Sequence, residues 1–292
     1  MKWEGHEQSE NVEDRRGPGG GGRMPRVGGK GIGLGGIAIA LVAGWIFGIN
    51  PMTVLGLLSG DGGAPVTQQP AEPGRKPSPE DKVAVFTSTV LKDTELVWGR
   101  LFQAAGSAYQ PPRLIIFRGE TPTACGSGES AMGPFYCPGD RQVYIDLDFF
   151  DTLNQRLGAP GDFAQAYVIA HEVAHHVQNL MGVTGKVDAM RGRVSKAQQN
   201  AMSVKVELQA DCLAGVWAHH SQQGKGWLDR GDIEEGLNAA SKIGDDTLQK
   251  ASQGRVVPES FTHGSSAQRV GWFKRGLDGG SIAQCDTFAA AR

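Results

Sequence analysis

The stretch Tyr167–Asn179, YVIAHEVAHHVQN, constrains this chain more than any other, because its polar residues are spaced as a helix spaces them. His171 and His175 lie four apart, which on an α-helix puts them on one face with both rings able to aim a nitrogen at a common point. Glu172 sits beside that point. The order is H-E-x-x-H, in which two imidazoles hold a zinc ion and the glutamate takes a proton from a water on the metal. Apolar or small residues recur at Phe163, Ala166, Tyr167, Ala170, Val173, Ala174, Val177, Leu180 and Met181, a broad core-facing side with the histidines at its margin. Asp162 suits the N-cap and Gly182 the C′ position. The competing account is a surface helix whose histidines fall four apart by chance, since short motifs recur at random.

A second segment favours the metal. Zinc at a catalytic site takes a third protein ligand and keeps one position for water, and the third ligand has to come from another element. Val204–Trp217, VKVELQADCLAGVW, reads as a helix in which Glu207 and Asp211, four apart, share a face. Glu207 is the expected third ligand. Asp211 is expected to accept the free ring N–H of a ligand histidine, His171, and so fix its orientation. Two alternatives stay open: an acidic pair on a solvated face, and the reverse assignment with Asp211 on the metal.

These residues resemble a known family. HEVAHHVQN and ELQADCLAG are similar to the bacterial neutral zinc metallopeptidases and, more distantly, to the thermolysin-type zinc peptidases. NVEDRRG (11–17), GPFYCPGD (133–140), VYIDLDFF (143–150) and ESFTHGSSAQRVGWFKRG (259–276) extend the likeness over most of the chain. The resemblance implies a membrane-anchored zinc-dependent peptidase acting on peptides or proteins, with no substrate specified. By analogy with thermolysin-type enzymes, the segment Met132–Tyr136 or the strand after it pairs with a substrate backbone. A late segment would supply a donor to the oxyanion, His263 in its T-H-G turn first and Arg269 second. A loop histidine bonded to backbone is the alternative for His263. His176, His219 and His220 read as supporting or surface residues.

Residues 1–30 are polar and include the run GPGGGG, so a disordered tail is expected there. Gly31–Ile49 are nineteen uncharged, mostly apolar residues, roughly 28 Å as a helix and long enough to span a bilayer. Basic residues before the run predict an uncleaved anchor with the N-terminus in the cytoplasm and the rest of the chain outside. A cleaved signal peptide fits less well, because thirty residues precede the run. The proline- and glycine-rich residues 50–77 read as a linker.

Residues 78–292 are then one domain, opening on a helix with Ser78 at its N-cap, followed by strands at Arg113–Phe117 and Gln142–Leu147. A later helix, Asp232–Ile243, is predicted with Asp232 and Glu235 as its capping box. The four cysteines lie beyond the apolar run. Cys125 with Cys137 and Cys212 with Cys285 is the expected disulfide pairing of three possible, and cysteine ligation of zinc lacks a C-x-x-C. A net charge of -2 and no basic aromatic patch argue against a nucleic-acid partner. The expectation is therefore an α+β, mainly helical zincin-like metallopeptidase domain with a small sheet behind one transmembrane helix, using Zn2+ held by His171, His175 and Glu207. Glu172 and His263 are its catalytic residues and Asp211 supports the metal. A non-catalytic, zinc-stabilised envelope scaffold is the alternative.

Overall fold

A computed structural model describes residues 1–16, 75–129, 133–190 and 192–289. Its larger sheet has the order β1 (Val12–Asp14), β2 (Arg113–Phe117), β6 (Gln142–Asp146), β5 (Phe135–Cys137), and β3 (Glu120–Thr123) pairs with β4 (Gly126–Glu129) as a separate hairpin. β1, β2 and β6 are parallel, and β5 is antiparallel to β6 at the edge. The central strands read as continuous apolar runs because both their faces are covered. Leu114, Ile116, Val143 and Ile145 join the helical core, while Ile115, Phe117 and Tyr144 pack with Cys137 on the other side.

The longer helices are α1 (Lys82–Ala104), α3 (Asp162–Leu180), α5 (Lys196–Lys225), α6 (Asp232–Lys242) and α8 (Ser266–Gly279), with α2 (Asp148–Asp151), α4 (Val183–Asp188) and α7 (Asp245–Gln253) as shorter pieces. The α+β, mainly helical expectation holds for the described residues. Three local expectations are corrected, the first being that Gly161, not Asp162, stands at the N-cap of α3, which has no side-chain cap. Asp81, not Ser78, caps α1, accepting from the Ala84 amide, because Ser78 to Asp81 form a turn closed by Asp81 N–H to Ser78 C=O. Asp232 and Glu235 do not form a capping box. Asp232 accepts from the Asp229 amide, and Glu235 accepts from Phe163 N–H at the start of α3. Both disulfides, Cys125–Cys137 and Cys212–Cys285, are paired as expected.

The N-terminal expectation changes more. Residues 1–16 are not a disordered tail: they belong to the same compact unit as the other described residues. Val12 is buried in the core, Trp3 packs edge-on against Phe86, and the Ser9 amide donates to the Ser88 carbonyl. The charges that make the segment look disordered are paired, Arg16 with Asp14 and Asp81, Arg15 with Glu13. Asp14 and Arg75 exchange both backbone hydrogen bonds, so residues 16 and 75 stand close together at the edge of the sheet. Residues 1–16 and the domain consequently lie on the same side of any membrane, which overturns the expected N-terminus on the opposite, cytoplasmic face. The apolar run Gly31–Ile49 and the linker up to residue 74 fall outside the described residues. Among the described residues, no helix is long and apolar enough to cross a membrane.

Thiol labelling checks this. Cysteines introduced at the exposed positions Gln8 and Arg255 of the full-length protein are expected to react alike with a membrane-impermeant reagent in intact cells. Labelling of one and protection of the other would contradict the docked N-terminal strand.

Candidate metal centre

α3 lies against β5 and β6 and packs on α5. Helical spacing on α3 sets His171 and His175 ring against ring, their centroids 4.8 Å apart. α5 brings Glu207 to them. His171 Nε2 is 3.1 Å from Glu207 Oε2, and His175 Nε2 is 3.6 Å from Glu207 Oε1. One ligand atom from each of the three residues lies within 4.8 Å of the other two.

The far side of each ring is engaged. His171 Nδ1 lies 2.9 Å from Asp211 Oδ1. Asp211 is fully buried, and its charge is met by Arg269, whose Nε is 2.9 Å from Oδ2 and Nη2 3.0 Å from Oδ1; Tyr167 O–H also donates to Oδ1. Burial alone would raise the Asp211 carboxyl, but Arg269 and then His171 hold it below the ordinary aspartate range. Arg269 is therefore a buried counter-ion of Asp211 and not a free donor to substrate. His175 Nδ1 is 2.8 Å from Gln178 Oε1, a partner not anticipated although it stands three residues on along the same helix face.

With Nδ1 of both rings facing an acceptor, Nε2 of both is left to face Glu207. Two imidazole nitrogens and one carboxylate are the mixed donor set of a catalytic zinc site, so these residues fit that ion. Glu172 is buried next to His171. Burial pushes its carboxyl above the ordinary glutamate range, against the lowering influence of His175 and His171.

The remaining histidines sort by partner. His176 is buried, with Nε2 2.6 Å from the Gln110 carbonyl and Nδ1 3.1 Å from the Tyr136 hydroxyl, so it braces β5 against α3. His219 and His220 bond to the Leu277 and Gly280 carbonyls. His263 stands on the turn before α8. Its Nδ1 is 3.3 Å from Asp245 Oδ1, and it lies close enough to Glu207 that, after the opposing effect of burial, this carboxylate is the main influence raising its pKa.

Asp245 holds that turn by accepting from the amides of Thr262, His263 and Gly264. Burial works against its charge, yet the His263 ring and the amides of His263 and Gly264 depress its pKa below the ordinary 3.8. A depressed folded pKa means that the stabilisation is present above pH 3.8 and is lost as the pH falls through the folded value. Asp245→Ala is expected to cost about 3 kcal/mol near neutral pH, since three amides lose a charged acceptor. Denaturant unfolding at pH 7 and at pH 3 measures it, with the difference between parent and variant shrinking at the lower pH.

One helix thus bears H-E-x-x-H and a second delivers a carboxylate to both of its rings. The family described as "Putative neutral zinc metallopeptidase" matches residues 1–288, and the chain belongs to it. "Uncharacterized protein YpfJ" of Escherichia coli K12 is 52% identical over 295 residues, covering 99% of both chains. "Uncharacterized protein Rv2575" of Mycobacterium tuberculosis H37Rv is 45% identical over 193 residues, 63% of this chain and 64% of that one. No solved structure matches.

Proposed function

We propose that the chain is a zinc-dependent peptidase, with His171, His175 and Glu207 holding the metal and Glu172 acting as general base. The observation that carries this reading is the convergence of one donor atom from each of the three residues within 4.8 Å, beside a buried glutamate. Bound zinc supplies Lewis acidity, acidifying water and polarising a carbonyl. Glu172, its carboxyl made more basic by burial, takes the proton from the attacking water and returns it to the leaving amine. Asp211, backed by Arg269 and Tyr167, keeps the His171 ring turned so that Nε2 faces the metal. In this arrangement the domain follows the thermolysin-type plan.

Substrate is proposed to lie along the edge of β5 that pairs with no strand among the described residues. That strand is short, it is tied down through Cys137 to Cys125, and the Tyr136 hydroxyl accepts from Asn179 on α3. An extended peptide added there would run beside the site with its backbone paired. His263 is proposed as the donor to the developing oxyanion, oriented by Asp245. On that reading His263→Ala lowers kcat by roughly 10²–10³ with KM little changed, and steady-state kinetics on a cleaved peptide separate the two constants.

The disulfides suit an extracytoplasmic compartment, and membrane attachment through the apolar residues 31–49, without a net crossing between residues 16 and 75, is part of the proposal. The test of function is metal analysis of the purified full-length protein together with a peptide-library digest. One zinc per chain and cleaved peptides are expected. Bound zinc with no cleavage of any peptide would favour the scaffold account.

A further inference from the structure

His171 and His175 are oriented by different devices. Asp211 meets the first with a charge, whereas the second meets a neutral amide whose own orientation has to be fixed by something else. Gln178 Nε2 donates to the Val206 carbonyl at 2.7 Å and to Gln209 Oε1 at 3.0 Å. Gln209 Nε2 in turn donates to the Cys285 carbonyl at 3.0 Å. Gln178, Gln209 and Cys285 are all buried.

Backbone carbonyls only accept, so the two ends of this chain, Val206 C=O and Cys285 C=O, admit one arrangement of both amides. With both N–H bonds of Gln178 used, its Oε1 faces His175 Nδ1 and accepts from it. His175 is then held as the Nδ1–H tautomer, its Nε2 lone pair turned toward Glu207. The last acceptor is itself held in place, because Cys285 is bonded to Cys212, the residue after Asp211 on α5.

We infer that Gln178 and Gln209 are positioning residues for the metal ligand His175, and that the Cys212–Cys285 disulfide anchors their amide relay. This deepens the reading of the three-residue zinc site and rests on it. Gln209 acts on the metal only through Gln178, so the two are coupled.

The test is the zinc affinity of the full-length protein, measured by competition with a chromophoric chelator, for the parent, Gln178→Met, Gln209→Met and the double variant. Methionine keeps the volume and removes the relay. Loss of an outer-shell partner weakens metal binding about 10- to 100-fold. Gln178→Met is expected in that range and Gln209→Met between it and the parent. The double variant should match Gln178→Met, since removing Gln209 has nothing further to disturb.

Ring ¹⁵N shifts of histidine-labelled, zinc-loaded protein give a second readout: one tautomer at His175 in the parent and an altered Nδ1 signal in Gln209→Met. Gln209→Met changes no residue of α3, the helix that carries His171 and His175, and keeps the test open should Gln178→Met not fold. Zinc affinity within twofold of the parent for Gln209→Met, or fully additive losses in the double variant, would overturn the relay. Failure of the underlying zinc site shows separately, as a parent protein that binds no zinc.

Discussion

Glu172→Gln is expected to reduce peptide hydrolysis by two to four orders of magnitude while zinc stays bound. The amide keeps the shape and burial of the side chain but cannot take a proton, and general-base catalysis is worth roughly 10²–10⁴ in rate. Zinc is retained because Glu172 is not among the three converging donors, His171, His175 and Glu207. The measurement is kcat for a peptide identified in the library digest, alongside zinc content of the same sample. An unchanged rate in the glutamine variant would remove Glu172 from the mechanism. Lost zinc would mean that it holds the metal.

The second large effect is structural and lies behind the site. α5 and α8 touch backbone to backbone where Gly215 faces Gly276. A Cβ at Gly276 would stand 1.8 Å from the Cys212 carbonyl oxygen, and one at Gly215 would stand 2.1 Å from that of Phe273. Neither obstacle is a flexible side chain, so the helices would have to separate. That contact also keeps Arg269 on α8 paired with Asp211 on α5. Gly276→Ala is therefore expected to destabilise the domain by at least about 3 kcal/mol, at the upper end for overpacking, and to weaken zinc binding. Gly271→Ala, on the same helix with open space around it, should be neutral or stabilising by up to about 1 kcal/mol through helix propensity. Urea unfolding of both variants makes the comparison. Equal stability would contradict the close helix contact.

What the sequence reveals about the site depends on how local the determining interaction is. His171 with His175 and Glu207 with Asp211 are legible because four-residue spacing is a property of a single helix. Gln178 was open to the same reasoning, standing three residues from His175, but its role shows only once Val206, Gln209 and Cys285 are seen to fix its amide. The Ser195–Gln198 capping box that starts α5 is also local, so the full length of that helix was within reach of the sequence.

Other features were out of reach. β1 is three residues long and pairs with Leu114–Ile116 about a hundred positions away, so composition dominated the reading of residues 1–16. Glu235 matches a capping-box pattern, yet its carboxylate serves the first turn of α3, far off in sequence. Arg269 looked available to substrate because burial beside Asp211 leaves no mark on the residues around it.

The most direct measurement is diffraction from crystals of the full-length protein above and below the zinc absorption edge. A single anomalous peak about 2.0–2.2 Å from His171 Nε2, His175 Nε2 and a Glu207 carboxylate oxygen is the predicted result. A peak instead at the acidic cluster of Asp162, Asp232 and Glu235, or none in crystals grown with zinc at neutral pH, would contradict it.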